Sequence, residues 1–418
     1  MDPARSTAVA QQNEFRRTAA VVIAGFCAFL GLYAPQPMLP ELAAEFHQSP
    51  GQISQLISIA TIAVALAAPF IGNLSDRWGR KRLIVFSAVL LALPTAMAAT
   101  AASFSQLLAW RFLVGLFTPG IFALTVTYIN EEWTAGAGRA MSAYVSGTVS
   151  GGFVGRMIAA CIADYGNWRM TFVVLGALNL LGALLIWKLL PVEEHRSARV
   201  KGMASTMLGH LGNRQLLATY AAGFCVLFSL LGVFTYVNFL LAAAPFNMRP
   251  AALGRIFVVY LAGAVFTPLA GRFIDRLGQR QAFTLAMLLA LAGVLLTLIP
   301  SVLAVMAGLA IFCTGIFIGQ SSASSYIGKA ATGARAAAVG LYVTAYYLGG
   351  SFGAAVPGLF WSRFGWTGCV ALMAVVQLLT AGIAMSFWQS KTRLMVPLHP
   401  KQFRLACGNF TLTLEVRR

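Results

Sequence analysis

Charged residues are scarce in this sequence. Only 10% of its 418 residues are Asp, Glu, Lys or Arg, whereas a soluble globular domain carries about 25%. Acidic residues are fewer than basic ones, with 12 Asp and Glu against 30 Lys and Arg. The net charge of +18 does not indicate a nucleic-acid partner, because the basic residues lie in short segments between apolar runs. With 59% hydrophobic residues, the composition indicates an integral membrane protein whose partner is the lipid bilayer.

Residues typical of catalytic and metal sites are poorly placed for such roles. All four histidines lie outside the apolar runs and show no metal-ligand spacing. The six cysteines form no C-x-x-C pair, and no G-x-x-x-x-G-K-[ST] loop occurs to bind ATP. We therefore predict neither an enzyme nor an ATP-driven pump, and we expect no cofactor and no metal.

Long apolar runs dominate the rest of the chain. A helix needs about 20 apolar residues to cross the hydrocarbon core. The first run, 18–40, exceeds the about 7–15 residues of a signal peptide's core, so we interpret it as an uncleaved span. Twelve spans are predicted, numbered in chain order: 18–40, 53–75, 83–102, 105–128, 141–163, 170–190, 216–241, 252–273, 282–300, 302–327, 337–361 and 366–388.

A polar, basic linker divides the spans into two sets of six. The predicted domains are an N-terminal segment 1–17, a six-helix bundle 18–192, the linker 193–215, a second bundle 216–390, and a tail 391–418 without a packed element. Lys and Arg concentrate on the side of the N-terminus, and only Arg169, Arg249, Arg255 and Arg363 are assigned to the other side. This bias predicts a multi-pass protein of the cell inner membrane with both termini cytoplasmic.

The two sets of spans share sequence motifs. The polar segment 72–84, between spans 2 and 3, recurs in shorter form as 271–280 between spans 8 and 9. The segment Tyr144–Trp168 aligns without a gap with Tyr342–Trp366, so that three glycines match. An internal six-helix repeat is typical of secondary transporters, in which a small-molecule substrate binds between the repeats.

With these motifs in place, the chain resembles the major facilitator superfamily from about residue 18 to 390. Tyr33–Pro40 and span 5 are similar to YnfM/AraJ-like bacterial efflux permeases of the drug–proton antiporter type. The resemblance implies an all-α membrane fold of twelve helices in two pseudo-symmetric bundles. It also implies a cytoplasmic gate, with Asp76 at the N-terminus of span 11 and Arg80 paired to Glu131 or Glu132. The predicted gate residues are Gly72, Asp76, Arg77, Gly79, Arg80, Lys81, Glu131, Gly271, Asp275, Arg276 and Gly278.

Two arginines lie inside spans, where a charge is costly and usually faces a cavity. Arg111 of span 4 is similar to the family's arginine that is linked to proton coupling; alternatively, it extends to the outer headgroups. Arg156 stands where the family's antiporter motif has proline, and it either pairs with Asp164 or meets an anionic or hydroxylated substrate. No acid lies deep in a span, so we predict that Glu41 and Asp164 couple protons near Arg111 and Arg156.

Glycine, aromatic and amide residues within the spans complete the candidate site. Gly147, Gly151 and Gly155 of span 5 recur every four residues and predict a close helix–helix contact. Aromatic and amide groups suit a cavity for a sugar or an amphipathic organic molecule, although each alone also fits a helix–helix hydrogen bond. The candidate cavity residues are Tyr33, Gln36, Asn179, Tyr236, Asn238, Gln320, Tyr346, Tyr347 and Gln377.

These features predict a secondary transporter that acts as a monomer and exports a small organic solute, sugar or drug-like, with protons as the coupling ion. Uptake or uniport by the same fold stays open as an alternative. The export direction rests on the family resemblance, and no acidic residue lies in the middle of a span to carry a proton. A transporter-shaped sensor that binds ligand without net flux is the rival from another functional class.

Overall fold

The protein was analysed as a computed structural model that describes residues 3–133, 136–193, 210, 212–261, 274, 276–331, 335–389, 403–407 and 410–414. Short 3-10 turns occupy Gln36–Met38 and Ala98–Thr100. The first nine helices are Pro3–Leu30 (α1), Leu39–Glu45 (α2), Pro50–Ile53 (α3), Gln55–Trp78 (α4), Arg80–Met97 (α5), Phe104–Phe117 (α6), Pro119–Glu132 (α7), Ala137–Ala163 (α8) and Trp168–Leu189 (α9). The remaining helices are Arg214–Ala242 (α10), Pro250–Ile256 (α11), Gln279–Leu296 (α12), Val302–Ala330 (α13), Arg335–Ala355 (α14) and Pro357–Phe387 (α15).

Several predicted spans consist of two helices because proline or glycine interrupts them. In span 4, α6 is followed by Thr118, and Pro119 begins α7. Span 11 passes from α14 into α15 at Pro357. Proline lacks a backbone N–H but fits the first turn of a new helix. Within α15, Gly365 has a φ of +59° and separates span 11 from span 12.

Many of these helices have the length and composition of membrane spans. Their outward surfaces expose large apolar side chains, including Trp187, Leu303 and Leu378. In the described part of the chain, nine helical segments are long and apolar enough to cross a membrane. They are Pro50–Gly72, Arg80–Thr100, Phe104–Glu132, Ala137–Ala163, Trp168–Leu189, Arg214–Ala242, Gln279–Leu296, Val302–Gly328 and Pro357–Phe387. The prediction of a helical membrane protein is confirmed, while residues 262–273 of span 8 lie outside the described residues.

The same helix contact occurs once in each set of spans. In the first set, Gly147, Gly151 and Gly155 of α8 face α1, where an added Cβ would overlap backbone carbonyl oxygens. In the second set, glycines of α14 face α10 in the same way. The overlapping pairs are Gly151 with Phe26, Gly155 with Leu30, Gly349 with Phe224, and Gly353 with Phe228. Glycine therefore allows these backbones to approach closely, and the sequence repeat is also a repeat of packing.

The described part of the C-terminal region forms two short strands. Phe403–Cys407 (β1) and Phe410–Leu414 (β2) form an antiparallel hairpin in which Phe403 pairs with Leu414 and Cys407 with Phe410. These ten residues are the part of the predicted tail 391–418 that the structure describes as strand. Their Phe, Leu and Thr content favours strands, a pattern that is easily overlooked beside the long apolar spans.

The two ends of the helix bundle differ in their chemistry and are named here for reference. The motif end contains the junction of α4 with α5 at Gly79 and the end of α7 at Glu132. The opposite end contains α2, α3 and α11, together with the end of α8 at Ala163. The candidate site residues lie at these two ends and in the layer between them.

Candidate functional site

Arg80 is the centre of an ion-pair cluster at the motif end. Its guanidinium donates to Asp76 Oδ1 at 2.6 Å and to the two carboxylate oxygens of Glu131 at 3.0 Å each. Of the two glutamates considered for Arg80, Glu131 is the one it contacts. Glu193 accepts the backbone N–H groups of Arg80 and Lys81, at 2.9 and 3.2 Å, and so caps the start of α5. Buried Arg80 therefore ties α4 and α7 together, as a bidentate arginine–carboxylate pair does.

The other predicted gate residues differ in their backbone conformation and in their exposure. Gly79 and Gly278 each lie directly before a helix. Their φ angles are +92° and +83°, a conformation that glycine adopts at little cost. Arg77 and Arg276 are exposed. Among the described residues, no atom lies within 4 Å of the position a Cβ would take on Gly72. Gly271, Asp275 and residues 332–334, which precede the expected partner of Asp76, lie outside the described residues.

At the opposite end, the two sets of spans contact each other directly. Ser58 Oγ of α4 lies 2.8 Å from Ser351 Oγ of α14. Ser54 Oγ lies 3.0 Å from the Tyr236 hydroxyl oxygen, which is also 3.0 Å from the carbonyl oxygen of Ala354. We call these five residues the opposite-end contact. Tyr236, expected in a cavity wall, forms a helix–helix hydrogen bond here.

Arg111 stabilises the interruption of span 1. The α1 helix ends at Leu30, and residues 31–35 form turns before the next 3-10 turn. The guanidinium of Arg111 donates to the carbonyl oxygens of Gly31 at 2.9 Å, Leu56 at 3.3 Å, and Leu32. Only 1% of Arg111 is exposed, which removes the alternative that it extends to the headgroups. It supplies donors to carbonyl groups that have no water to bind within a membrane.

Arg156 is also buried, with 3% of its surface exposed, but it has fewer polar partners. Its Nε donates to Gln36 Oε1 and its Nη1 to the Gly152 carbonyl oxygen, both at 2.8 Å. Within the described residues Nη2 makes no hydrogen bond, and no carboxylate contacts the guanidinium. Three aromatic rings have their centroids 4.8–5.1 Å from its Cζ atom, and they belong to Tyr33, Phe257 and Tyr260.

The acids of the opposite end form their own group. Asp164 Oδ1 lies 3.3 Å from Arg249 Nε and accepts the Ala251 backbone N–H at 3.4 Å, which joins the end of α8 to the start of α11. Glu45 pairs with Arg169 at 3.4 Å. Glu41 has a buried carboxylate oxygen without a hydrogen-bond partner among the described residues. Burial raises the pKa of Glu41, and the charges of Glu45 and Asp164 raise it further.

This arrangement corrects the expected pairing of the span arginines. Arg156 does not contact Asp164, because Asp164 binds Arg249 of the other set. Arg111 contacts carbonyl oxygens and Arg156 contacts an amide, so neither makes an ion pair with Glu41 or Asp164 within the described residues. Glu41 and Asp164 therefore lie at the opposite end and make no contact with the two buried arginines among the described residues.

Besides Tyr236, the predicted cavity residues divide into three groups. Tyr33 and Gln36 lie against Arg156. Gln320 accepts a hydrogen bond from Tyr342 of α14 at 3.0 Å, and the rings of Tyr342, Tyr346 and Tyr347 contact one another in sequence. Asn179, Asn238 and Gln377 are buried between helices, and Asn238 donates to its own helix at Phe234.

Asn179 and Gln377 have a feature in common. Neither amide has a hydrogen-bond partner for its oxygen or its nitrogen within the described residues. They also occupy corresponding positions, because the alignment of Tyr144–Trp168 with Tyr342–Trp366 continues without a gap to this pair. Their shared burial is thus a further element of the repeat.

Sequence reasoning missed several residues that the structure brings to the site. Phe257 and Tyr260 of span 8 surround Arg156, and Ser58 and Ser351 join the two sets. Tyr260 could have been found as a polar group within a span. The serines had no such signal, because small polar residues are common in helix interfaces.

Comparison with known proteins gives a consistent result. The family model described as Major Facilitator Superfamily matches residues 21–257 and 222–409. The Inner membrane transport protein YnfM of Escherichia coli (strain K12) is 34% identical over 387 residues, 89% of this chain and 93% of YnfM. The Uncharacterized MFS-type transporter YybF of Bacillus subtilis (strain 168) is 32% identical over 369 residues, 87% of this chain and 91% of YybF.

A solved structure shows the same fold. The crystal structure of a mutant of the nucleoside transporter NupG superimposes with a TM-score of 0.73, covering 89% of this chain and all of that chain. The sequence identity is 14%, so the likeness concerns the arrangement of helices.

Proposed function

The chain belongs to the major facilitator superfamily, and on that premise we propose that this secondary transporter exports a small organic solute in exchange for protons. We place it in the cell inner membrane with the motif end and both termini on the cytoplasmic side, following the distribution of Lys and Arg. The bundles 18–192 and 216–390 are its two moving units, joined by the linker 193–215.

The observation that carries this proposal is the contact between the two sets of spans at the opposite end. There, serines and Tyr236 bind across the two sets. A contact of this kind, at one end of the interface on which solute must enter and leave, fits one conformation of an alternating-access cycle, in which that end is closed.

Proton coupling is assigned to the acids of the opposite end. Asp164 holds α8 to α11 through Arg249 and the Ala251 N–H group, and a neutral Asp164 would lose the ion pair. Glu41 binds a proton at higher pH than an ordinary glutamate, because its pKa is raised by burial and by neighbouring acids. External protons would thus weaken the closed opposite end and favour release of solute to the outside.

Transport in everted membrane vesicles tests the proposal. We expect a panel of labelled sugars and drug-like solutes to include at least one that accumulates only when the vesicle interior is acidic. We also expect Glu41→Gln or Asp164→Asn to reduce gradient-driven accumulation by about tenfold or more, the loss typical of a missing proton-transfer group. Labelled solute counterflow, which needs no gradient, should persist in these variants.

The matched control is Glu45→Gln, because Glu45 lies in the same acidic group but its side chain is 46% exposed. It should retain gradient-driven accumulation. The coupling assignment is wrong if both Glu41→Gln and Asp164→Asn accumulate solute at the wild-type rate. Absence of both accumulation and counterflow for every solute would contradict export and favour a sensor.

A further inference from the structure

We propose that the exported solute carries an oxyanion on an apolar body, and that Arg156 binds this anion between the two sets of spans. This inference rests on the proposed function, because it names the class of solute that the exporter recognises. It begins from Arg156, a cation that is 3% exposed and whose polar partners are an amide and a backbone carbonyl.

The charge of Arg156 lacks a counter-ion within the described residues. A buried charge is costly unless it is paired and hydrogen-bonded. Arg111, the other buried arginine of the spans, donates to three carbonyl oxygens at a helix break and has an evident structural role. Arg156 contacts this break only through the Gln36 side chain, and its other hydrogen bond goes to the Gly152 carbonyl oxygen of its own helix. An anionic ligand would supply the missing charge.

A second unused group lies beside the guanidinium. The Tyr260 hydroxyl is buried and has no hydrogen-bond partner within the described residues. Its ring centroid lies 4.9 Å from Arg156 Cζ. Both groups prefer to donate to an oxygen acceptor when they are buried, and an oxyanion offers several lone pairs. A buried hydroxyl without a partner beside a buried cation without a counter-ion indicates a binding site better than the cation alone does.

Buried aromatic rings of the second set pack around Arg156 and Tyr260, and they would border the apolar part of the solute. Phe234 and Tyr260 have ring centroids 4.5 Å apart, Phe257 lies 5.6 Å from Phe234, and Phe317 lies 5.8 Å from Tyr260. These side chains come from α10, α13 and the segment around α11. Pockets for organic ligands combine such apolar walls with a few polar groups that fix orientation.

The location suits a solute that is carried by alternating access. Arg156 belongs to span 5 of the first set, and Tyr260 belongs to span 8 of the second. A ligand bound by both would contact both moving units, so its binding energy differs between the two conformations. A differential interaction of this kind is what allows a ligand to shift a conformational equilibrium.

Isothermal titration of the purified full-length protein at pH 7.5 tests the inference with two probes. Benzenesulfonate is an anion at this pH, and benzenesulfonamide is a neutral molecule of similar shape. We expect the wild type to bind benzenesulfonate, and Arg156→Gln to bind it about 30-fold or more weakly, as when a buried charge partner is truncated. Arg156→Lys should restore part of the affinity, because it keeps the charge but loses the planar fork.

Two comparisons separate a binding role from a structural one. Arg169→Gln removes a partly exposed arginine of the opposite end and should leave benzenesulfonate binding unchanged. Tyr260→Phe keeps the ring and removes only the hydroxyl, so it should weaken the sulfonate and spare the sulfonamide. Melting temperatures of all variants establish that they are folded.

The inference is overturned if folded Arg156→Gln binds benzenesulfonate as tightly as the wild type, or if the wild type binds the sulfonamide but not the sulfonate. Either result would leave the exporter itself intact, because the vesicle assay with neutral sugars and drugs would still detect gradient-driven transport. Loss of accumulation for every solute in that assay, with sulfonate binding retained, would instead remove the proposed function.

Discussion

Arg111→Ala should yield almost no folded protein. The substitution leaves the carbonyl oxygens of Gly31, Leu32 and Leu56 without their donors, and each unsatisfied buried group costs about 1–3 kcal/mol. It also empties the space of one of the largest fully buried side chains. The combined loss is several kcal/mol, against a total stability of about 5–15 kcal/mol for a typical protein. The measurement is the monodisperse yield after detergent extraction, together with the melting temperature.

Two further variants identify the cause of this loss. Arg111→Lys keeps the charge but provides a compact ammonium group in place of the planar fork, so an intermediate yield is expected. Arg363→Ala removes an exposed arginine between spans 11 and 12 and should behave as the wild type. Wild-type yield and melting temperature for Arg111→Ala would show that Arg111 does not stabilise the break in span 1.

Gly155→Val should destabilise the protein nearly as strongly. A Cβ on Gly155 overlaps the carbonyl oxygen of Leu30, so α1 and α8 can accept it only by moving apart. Overpacking of this kind typically costs about 1–3 kcal/mol and occasionally more, and here the obstacle is backbone. Gly353→Val should have a similar effect, because Gly353 meets Phe228 in the equivalent contact of the second set.

The control for these variants is Gly382→Val, because no described atom lies within 4 Å of a Cβ at this position. Melting temperatures in detergent should fall by several degrees or more for the first two variants and by less for the control, which bears only the change in helix propensity. Equal melting temperatures for all three would contradict the proposed repeat of packing.

Much of the fold was predictable because membrane spans leave a strong pattern in the sequence. The apolar runs, the spacing of Gly147, Gly151 and Gly155, and the recurrence of Gly79 as Gly278 all depend on local chemistry. The pairing of Arg80 with Glu131 or Glu132 was implied by the family resemblance, and the structure shows the contact with Glu131.

The details of the site depended on contacts between distant residues. Arg156 and Asp164 are two turns apart on one helix, yet Asp164 lies at the helix end and binds Arg249 across the two sets. Arg111 was noted as a buried charge, but its partners are backbone oxygens, which every residue carries and no sequence pattern marks. The ring of aromatic groups around Arg156 comes from two different sets of spans, so only tertiary packing brings it together.

Alternating access requires the opposite-end contact to break in every cycle, and a cross-link there tests this requirement most directly. Ser58 and Ser351 are suitable sites, because their hydroxyl oxygens lie 2.8 Å apart. Cysteines at both positions, in a chain whose native cysteines have been replaced, should form a disulfide on mild oxidation. Counterflow of a transported solute is then measured in proteoliposomes before oxidation, after oxidation and after reduction. We predict that oxidation abolishes counterflow in the double variant, that reduction restores it, and that each single-cysteine variant is unaffected; full counterflow through the cross-linked protein would contradict the account.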